Sequence, residues 1–203
     1  MSLSLWEING HSLEFEDETH TYICDGIIVP SITQALKFKF KNKYAGIDKD
    51  TLQRASEKGT EVHEAIENWC RNGVDSDLPE VRNFKFLQAQ YLFEVEDNEI
   101  PVILSMDDEP IMAGRLDLVI RQHAEGEFAL GLADIKRTSS LDKEYLGLQL
   151  NMYRIAYQQC YNKEISFLRG IHLREDVRKF VNIPINEQYT WDFIKDWRAN
   201  GNL

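Results

Sequence analysis

The sequence predicts an α/β fold: a central mixed β-sheet flanked by α-helices. Three observations carry that prediction. Strand-like runs follow one another in mid-chain as "IPVILSM", "PIMAGRLDLVI" and "FALGLADIK". A long helical run, "SLDKEYLGLQLNMYRIAYQQCYNK", comes next. Two more strand-like runs, "ISFLRGIHLRE" and "KFVNIPI", lie beyond it.

The remaining elements fit around this centre. "SLEFEDETHTYICDGIIV" alternates and turns like a β-hairpin. In "PSITQALKF", Ser31 with Gln34 three residues later makes a capping box that starts a short helix. A longer helix is expected through "DTLQRASEKGTEVHEAIENWCRNG", stopping near Asn72-Gly73, because glycine accepts the left-handed conformation that ends helices. "LPEVRNFKFLQAQYLFEVE" reads as a helix beginning at Pro79, and "TWDFIKDWRAN" as a closing one. With no repeat, low-complexity tract or linker, residues 1–203 read as one domain.

Composition narrows the class. At 43% hydrophobic and 28% charged, the 203-residue chain can build a core, and disorder is not expected. No apolar run approaches the roughly 18 residues that cross a bilayer, and no secretory leader is visible. No membrane partner and a cytoplasmic location are therefore expected. Cys24, Cys70 and Cys160 are far apart and form no CxxC pair, which argues against a disulfide framework or a cysteine metal site.

With 34 acidic against 23 basic residues, the chain carries −11, an unfavourable balance for phosphate binding taken alone. Yet "LKFKFKNKY" places Lys37, Lys39, Lys41 and Lys43 among Phe38, Phe40 and Tyr44. That segment is either a basic, aromatic nucleic-acid contact or a solvated helix end whose phenylalanines enter the core.

The chemistry concentrates in "GRLDLVI" and "FALGLADIK", joined through a turn signal at Glu125-Gly126. A tight turn there makes opposed residue numbers sum to 251, which sets Asp117 across from Asp134. Opposed like charges destabilise a strand pair, and burying them uncompensated costs several kcal/mol. A hard divalent cation would compensate them. Alternatively Asp117 is solvated and pairs with Arg115 on its own strand face. Lys136, two residues beyond Asp134 on one strand face, can sit beside a metal-activated water or stabilise charge on a phosphoryl oxygen; an ordinary salt bridge is the alternative.

Three further features bear on this pair. His63 lies beside the apolar stripe Val62, Ile66 and Trp69, positioned either to reach the sheet or to serve a structural role. Glu67, one turn on, is a further candidate ligand or a solvated acid. Gln149 and Tyr153, spaced i and i+4, can present an amide and a phenol to one point, or Tyr153 can simply pack in the core.

In this order, "GTEVH", "GRLDLV", "ADIKRT" and "QLNMY" resemble the PD-(D/E)XK nuclease superfamily, in particular its RecB-like and phage-exonuclease branch. The resemblance runs from about residue 29 to Tyr153. It implies a restriction-endonuclease-like core and hydrolysis of DNA phosphodiesters with Mg²⁺ or Mn²⁺. By the same resemblance His63, Asp117, Asp134 and the backbone carbonyl of Ile135 would bind metal. Lys136 would position or activate water, and Gln149 and Tyr153 would orient Lys136 or the DNA backbone. Leu116 stands where the family has proline before its first acid. Some relatives carry a four-cysteine iron–sulfur cluster with three cysteines near the C-terminus; only Cys160 lies there, so no cluster is expected.

The function expected from the resemblance is phage- or prophage-type exonucleolytic resection of double-stranded DNA ends for recombination, alongside a single-strand annealing protein. With no clamp of its own, such a domain would gain processivity as a ring-shaped homo-oligomer. A restriction- or repair-type endonuclease, and a catalytically silent nucleic-acid-binding module, are the competing readings.

Overall fold

The computed structural model describes residues 3–41, 43, 45–124 and 127–201. The chain opens with an antiparallel four-stranded sheet, β1 (Leu3–Ile8), β2 (His11–Glu16), β3 (Thr21–Cys24) and β4 (Ile27–Val29), in that spatial order. Helices α1 (Ile32–Leu36), α2 (Lys49–Asn72) and α3 (Pro79–Tyr91) follow. Strands β5 (Phe93–Met106), β6 (Glu109–Ala124) and β7 (Glu127–Lys136) precede α4 (Lys143–Tyr161), and β8 (Phe167–Leu173), β9 (Arg178–Ile183) and α5 (Glu187–Asn200) complete the order. Strands β5 to β9 form a five-stranded mixed sheet in sequence order, in which β7 and β8 are parallel and the other pairs antiparallel.

Several local signals act as the sequence predicts. Ser31 Oγ accepts the Gln34 amide at 3.0 Å while Gln34 Oε1 accepts the Ser31 amide at 2.8 Å, a reciprocal capping box. Gly73, at φ 64°, ends α2 in the left-handed region that glycine enters without a Cβ clash.

Two expectations need correction. The segment up to Glu96 does not stay helical: Leu92 adopts φ 51° and ψ 48°, ending α3, and Phe93 starts β5. The amino-terminal hairpin is larger than expected, because Leu3–Ile8 pairs with His11–Glu16 and extends the motif to four strands.

The five-stranded sheet separates two apolar layers. On one side Val62 and Ile66 of α2, with Val81, Phe84 and Leu87 of α3, pack on Leu118, Ile120, Ala133 and Ile135. On the other, α1, α4 and α5 pack on Val102, Leu116, Val119 and Leu132. The four-stranded sheet buries Leu13, Phe15 and Tyr22 against Ile103 and Ala113.

The alternation of side chains along β6 breaks between Leu116 and Leu118, which a regular strand would keep on one face. There β6 and β7 part: their pairing runs from Ala124↔Glu127 to Leu118↔Ala133 and goes no further. Beyond that point the Ala113 amide of β6 donates to the Pro30 carbonyl at 3.0 Å, so the chain entering α1 takes up the edge that β7 leaves.

Because α1 is only five residues long, it depends on its cap. Ser31→Ala should cost about 1 kcal/mol of stability, read as a lowered urea midpoint with unchanged slope; an unchanged midpoint would show that tertiary packing alone holds α1.

Candidate metal and phosphate site

The separation of β6 from β7 leaves the Ile135 amide without a ladder partner from β6, and Asp117 supplies one. Its Oδ2 accepts the Ile135 N–H at 2.7 Å. Pairs in the β6–β7 register sum to 251 as the sequence predicts, and Asp117 and Asp134 occupy the next step, where the pairing opens. The turn residues Glu125 and Gly126 lie outside the described residues.

Asp134 is 2% exposed. Its Oδ2 lies 2.5 Å from Lys136 Nζ, so the two residues on one strand face form an ion pair. The approach lacks hydrogen-bond alignment, however, and Oδ2 is a buried oxygen without a hydrogen bond. The short charge–charge distance holds the pair all the same, since Coulomb attraction depends less on angle than a hydrogen bond does. Burial pushes the Asp134 carboxyl up, Lys136 pulls it down and Asp117 raises it again, for a value of about 6. Burial works against the Lys136 ammonium, but Asp134 and Asp117 outweigh it and leave its pKa raised.

His63 reaches the same point from α2. Its Nε2 lies 3.2 Å from the Ile135 carbonyl and its Nδ1 3.7 Å from Asp117 Oδ2. The structure thus brings His63, Asp117, Asp134, Ile135 and Lys136 together.

It also adds Glu99, which the sequence reading missed. Glu99 sits at φ 52° on β5, between the pairs Asn98↔Leu118 and Ile100↔Leu116, so it stands opposite Asp117. Its Oε1 is 4.0 Å from His63 Nδ1, while its Oε2 accepts from Arg115 Nε at 2.6 Å. Arg115 therefore pairs with Glu99 rather than with Asp117. A signal existed in "EVEDNEI", whose last acid abuts the strand run. The helical pattern that continues to Glu96 and the strand-like run that starts at Ile100 hide it.

His63, Glu99 and Asp117 each present one donor atom within 4.8 Å of the other two. Asp134 is not in that trio; its carboxylate faces Lys136. The trio fits a hard divalent cation, since it offers two carboxylates and an imidazole, the ligand types of Mg²⁺ and Mn²⁺, and no thiolate. The crowding supports the fit: burial and then the Asp117 charge push the Glu99 carboxyl to about 7, with Arg115 and His63 only partly offsetting them.

Gln149 and Tyr153 are both buried on α4. Gln149 Oε1 has no hydrogen-bond partner. Burial holds the Tyr153 hydroxyl well above the usual phenol range, and Asp117 and Asp134 add to that shift. Gly114 makes room for the ring, since a Cβ there would meet Tyr153 Cε1 at 2.9 Å. Glu67 instead pairs with Arg71 at 2.8 Å. A second missed feature adjoins the site: Glu80, fully buried on α3, accepts from Arg137 Nε at 2.6 Å, directly after Lys136.

No protein-family model matches the sequence. No curated protein matches it either. Among solved structures, the chain is similar to the one titled "Crystal structure of SSO0001", with 13% identity, a TM-score of 0.45, and coverage of 86% of this chain and 76% of that one. A likeness of that order carries no functional argument. The class defined by fold and geometry is a mixed α/β protein with a clustered imidazole–carboxylate–ammonium site. No helix among the described residues is long and apolar enough to cross a membrane.

The Glu99 shift fixes the sign of a pH effect. Its folded value of about 7 lies above the ordinary 4.5, so the stability linked to its proton is full below pH 4.5 and lost as pH rises through 7. In EDTA, Glu99→Gln should therefore lose less stability than the natural protein between pH 5 and pH 8, by roughly 3 kcal/mol at most. Parallel stability curves in urea would overturn this assignment.

Proposed function

We propose that the protein is a Mg²⁺- or Mn²⁺-dependent deoxyribonuclease with a restriction-endonuclease-like core, a PD-(D/E)XK exonuclease that hydrolyses phosphodiester bonds at duplex ends. The observation that carries this reading is the convergence of Asp117, Asp134 and Lys136 where β6 and β7 part, with His63 and Glu99 facing them.

His63, Glu99 and Asp117 would hold the ion, with Asp134 and the Ile135 carbonyl at the adjoining edge. The chemistry a bound divalent ion supplies is polarisation of a phosphoryl oxygen and acidification of a water molecule. Lys136 contributes charge. Held beside Asp134, its ammonium can donate to the phosphoryl oxygen on which negative charge builds in the transition state. Strand β7 fixes its reach, because Asp134 and Lys136 leave one face of the same rigid element.

The buried α4 residues keep that geometry. The Tyr153 ring fills the space over Gly114, and Gln149 is buried one turn before it on the same helix. Asp117 acts twice in this account, since its carboxylate both anchors Ile135 and faces His63. End resection beside a strand-annealing protein, and assembly into a ring, remain parts of the proposal that rest on the sequence resemblance.

The test is digestion of end-labelled linear DNA and closed circular DNA with Mg²⁺ or Mn²⁺. Linear DNA should be lost and circles spared. EDTA should abolish cleavage, and Asp134→Ala or Lys136→Ala should slow it by about 10² to 10³. Cutting of circles would replace the exonuclease with an endonuclease, while metal-dependent DNA cleavage absent from the natural protein would overturn the nuclease reading.

A further inference from the structure

The lysine-rich segment between α1 and α2 has an arrangement the catalytic reading does not require. In "KFKFKNK", residues 37–43, phenylalanines and lysines alternate. Phe38 and Phe40 pack against the apolar layer formed with α1 and α4, so the aromatic rings anchor the segment. Lys37 and Lys41, which flank those anchors in sequence, are exposed. Tyr44 lies outside the described residues.

Two acids fasten this arm to the start of α4. Lys39 pairs with Glu144 at 2.8 Å, and Lys43 with Asp142 at 3.2 Å. The Lys43 ammonium also stands 3.3 Å over the centre of the Tyr145 ring. Asp142 is the N-cap of α4, the helix that follows Lys136 after a short loop. The arm therefore lies on the flank of the site reached from the carboxyl end of β7. Lys43 is close enough to Asp134 and Lys136 for its charge to register theirs.

We propose that this arm is a DNA-backbone track: Lys37 and Lys41 contact phosphates of one strand, and Lys43 passes that strand toward Lys136. The inference rests on the nuclease reading for its ligand and deepens it by naming the surface that receives DNA. Electrostatics favours this surface. The chain as a whole carries −11, so phosphate is repelled from most of it, while four lysines are concentrated within seven residues here. Lys39 pairs with the exposed Glu144, and surface pairs of that kind are worth at most about 1 kcal/mol, while Lys43, its side chain 17% exposed, is more enclosed beside Asp142. A phosphate can compete for Lys39 at little cost. The phenylalanines are committed to the core, so contact through the arm is by charge rather than by base stacking, and carries no sequence preference.

The experiment is equilibrium binding of a fluorescent blunt-ended duplex in EDTA, where no cleavage occurs, over a range of salt concentrations. The Lys37→Ala/Lys41→Ala double variant should weaken binding at least tenfold at low salt. It should also reduce the slope of log affinity against log salt by nearly 2, as loss of two phosphate contacts requires. Lys179→Ala, on β9, should leave the slope unchanged. Thermal unfolding of each variant separates lost contacts from lost fold. If the natural protein binds DNA and the double variant keeps its slope while folded, the track is wrong and the nuclease reading stands. If the natural protein shows no salt-dependent binding, both fail.

Discussion

The structure turns on one substitution of partners: at Ile135, a carboxylate takes the place of a strand. Asp117 accepts the amide at 2.7 Å just where the β6–β7 ladder ends. A buried N–H without an acceptor costs about as much as a lost hydrogen bond, so the strands can part here only because a side chain fills the vacancy. The parting turns the end of β7 away from β6 and lets the Pro30–Ser31 segment dock on the edge it leaves. It also requires an anion in the middle of a sheet.

That requirement propagates. Asp117 has Glu99 on one side and Asp134 on the other, across three adjacent strands. Lys136 answers Asp134, Arg115 answers Glu99, and His63 approaches Asp117 and Glu99 from α2. The compensation is incomplete, as the upward-pushed carboxyls of Glu99 and Asp134 show. Buried like charges work against stability, and a divalent cation held here would relieve this repulsion directly. The Arg137–Glu80 pair is a different case: it lies on the α3 side, where one cation meets one fully buried acid.

Much of this was legible from short-range rules. The β6–β7 register followed from a turn signal and arithmetic, and the Asp134–Lys136 pair from the two-residue period of a strand. Ser31 and Gly73 announced helix ends because capping chemistry is local. Glu99 was not legible. Its place opposite Asp117 depends on a register shift between Val95 and Asp97, and the positive φ falls on Glu99 itself, where the sequence has no glycine to mark it. Leu92 hides the end of α3 in the same way, being a leucine in a left-handed conformation. Strand β1 escaped because its partly exposed residues pack too little to give a clear apolar pattern. Whether Phe38 and Phe40 face DNA or the core was open in the sequence; tertiary packing decides for the core.

The most direct test of the account is Mn²⁺ binding to the metal-free protein at neutral pH, followed by the loss of free-ion paramagnetic resonance signal. The natural protein should take up the ion at a site that weakens at least tenfold in Asp117→Asn and in His63→Ala, each checked for folding. Uptake unaffected by either substitution, or no uptake at millimolar ion, would mean that the carboxylates where β6 and β7 part serve the fold alone.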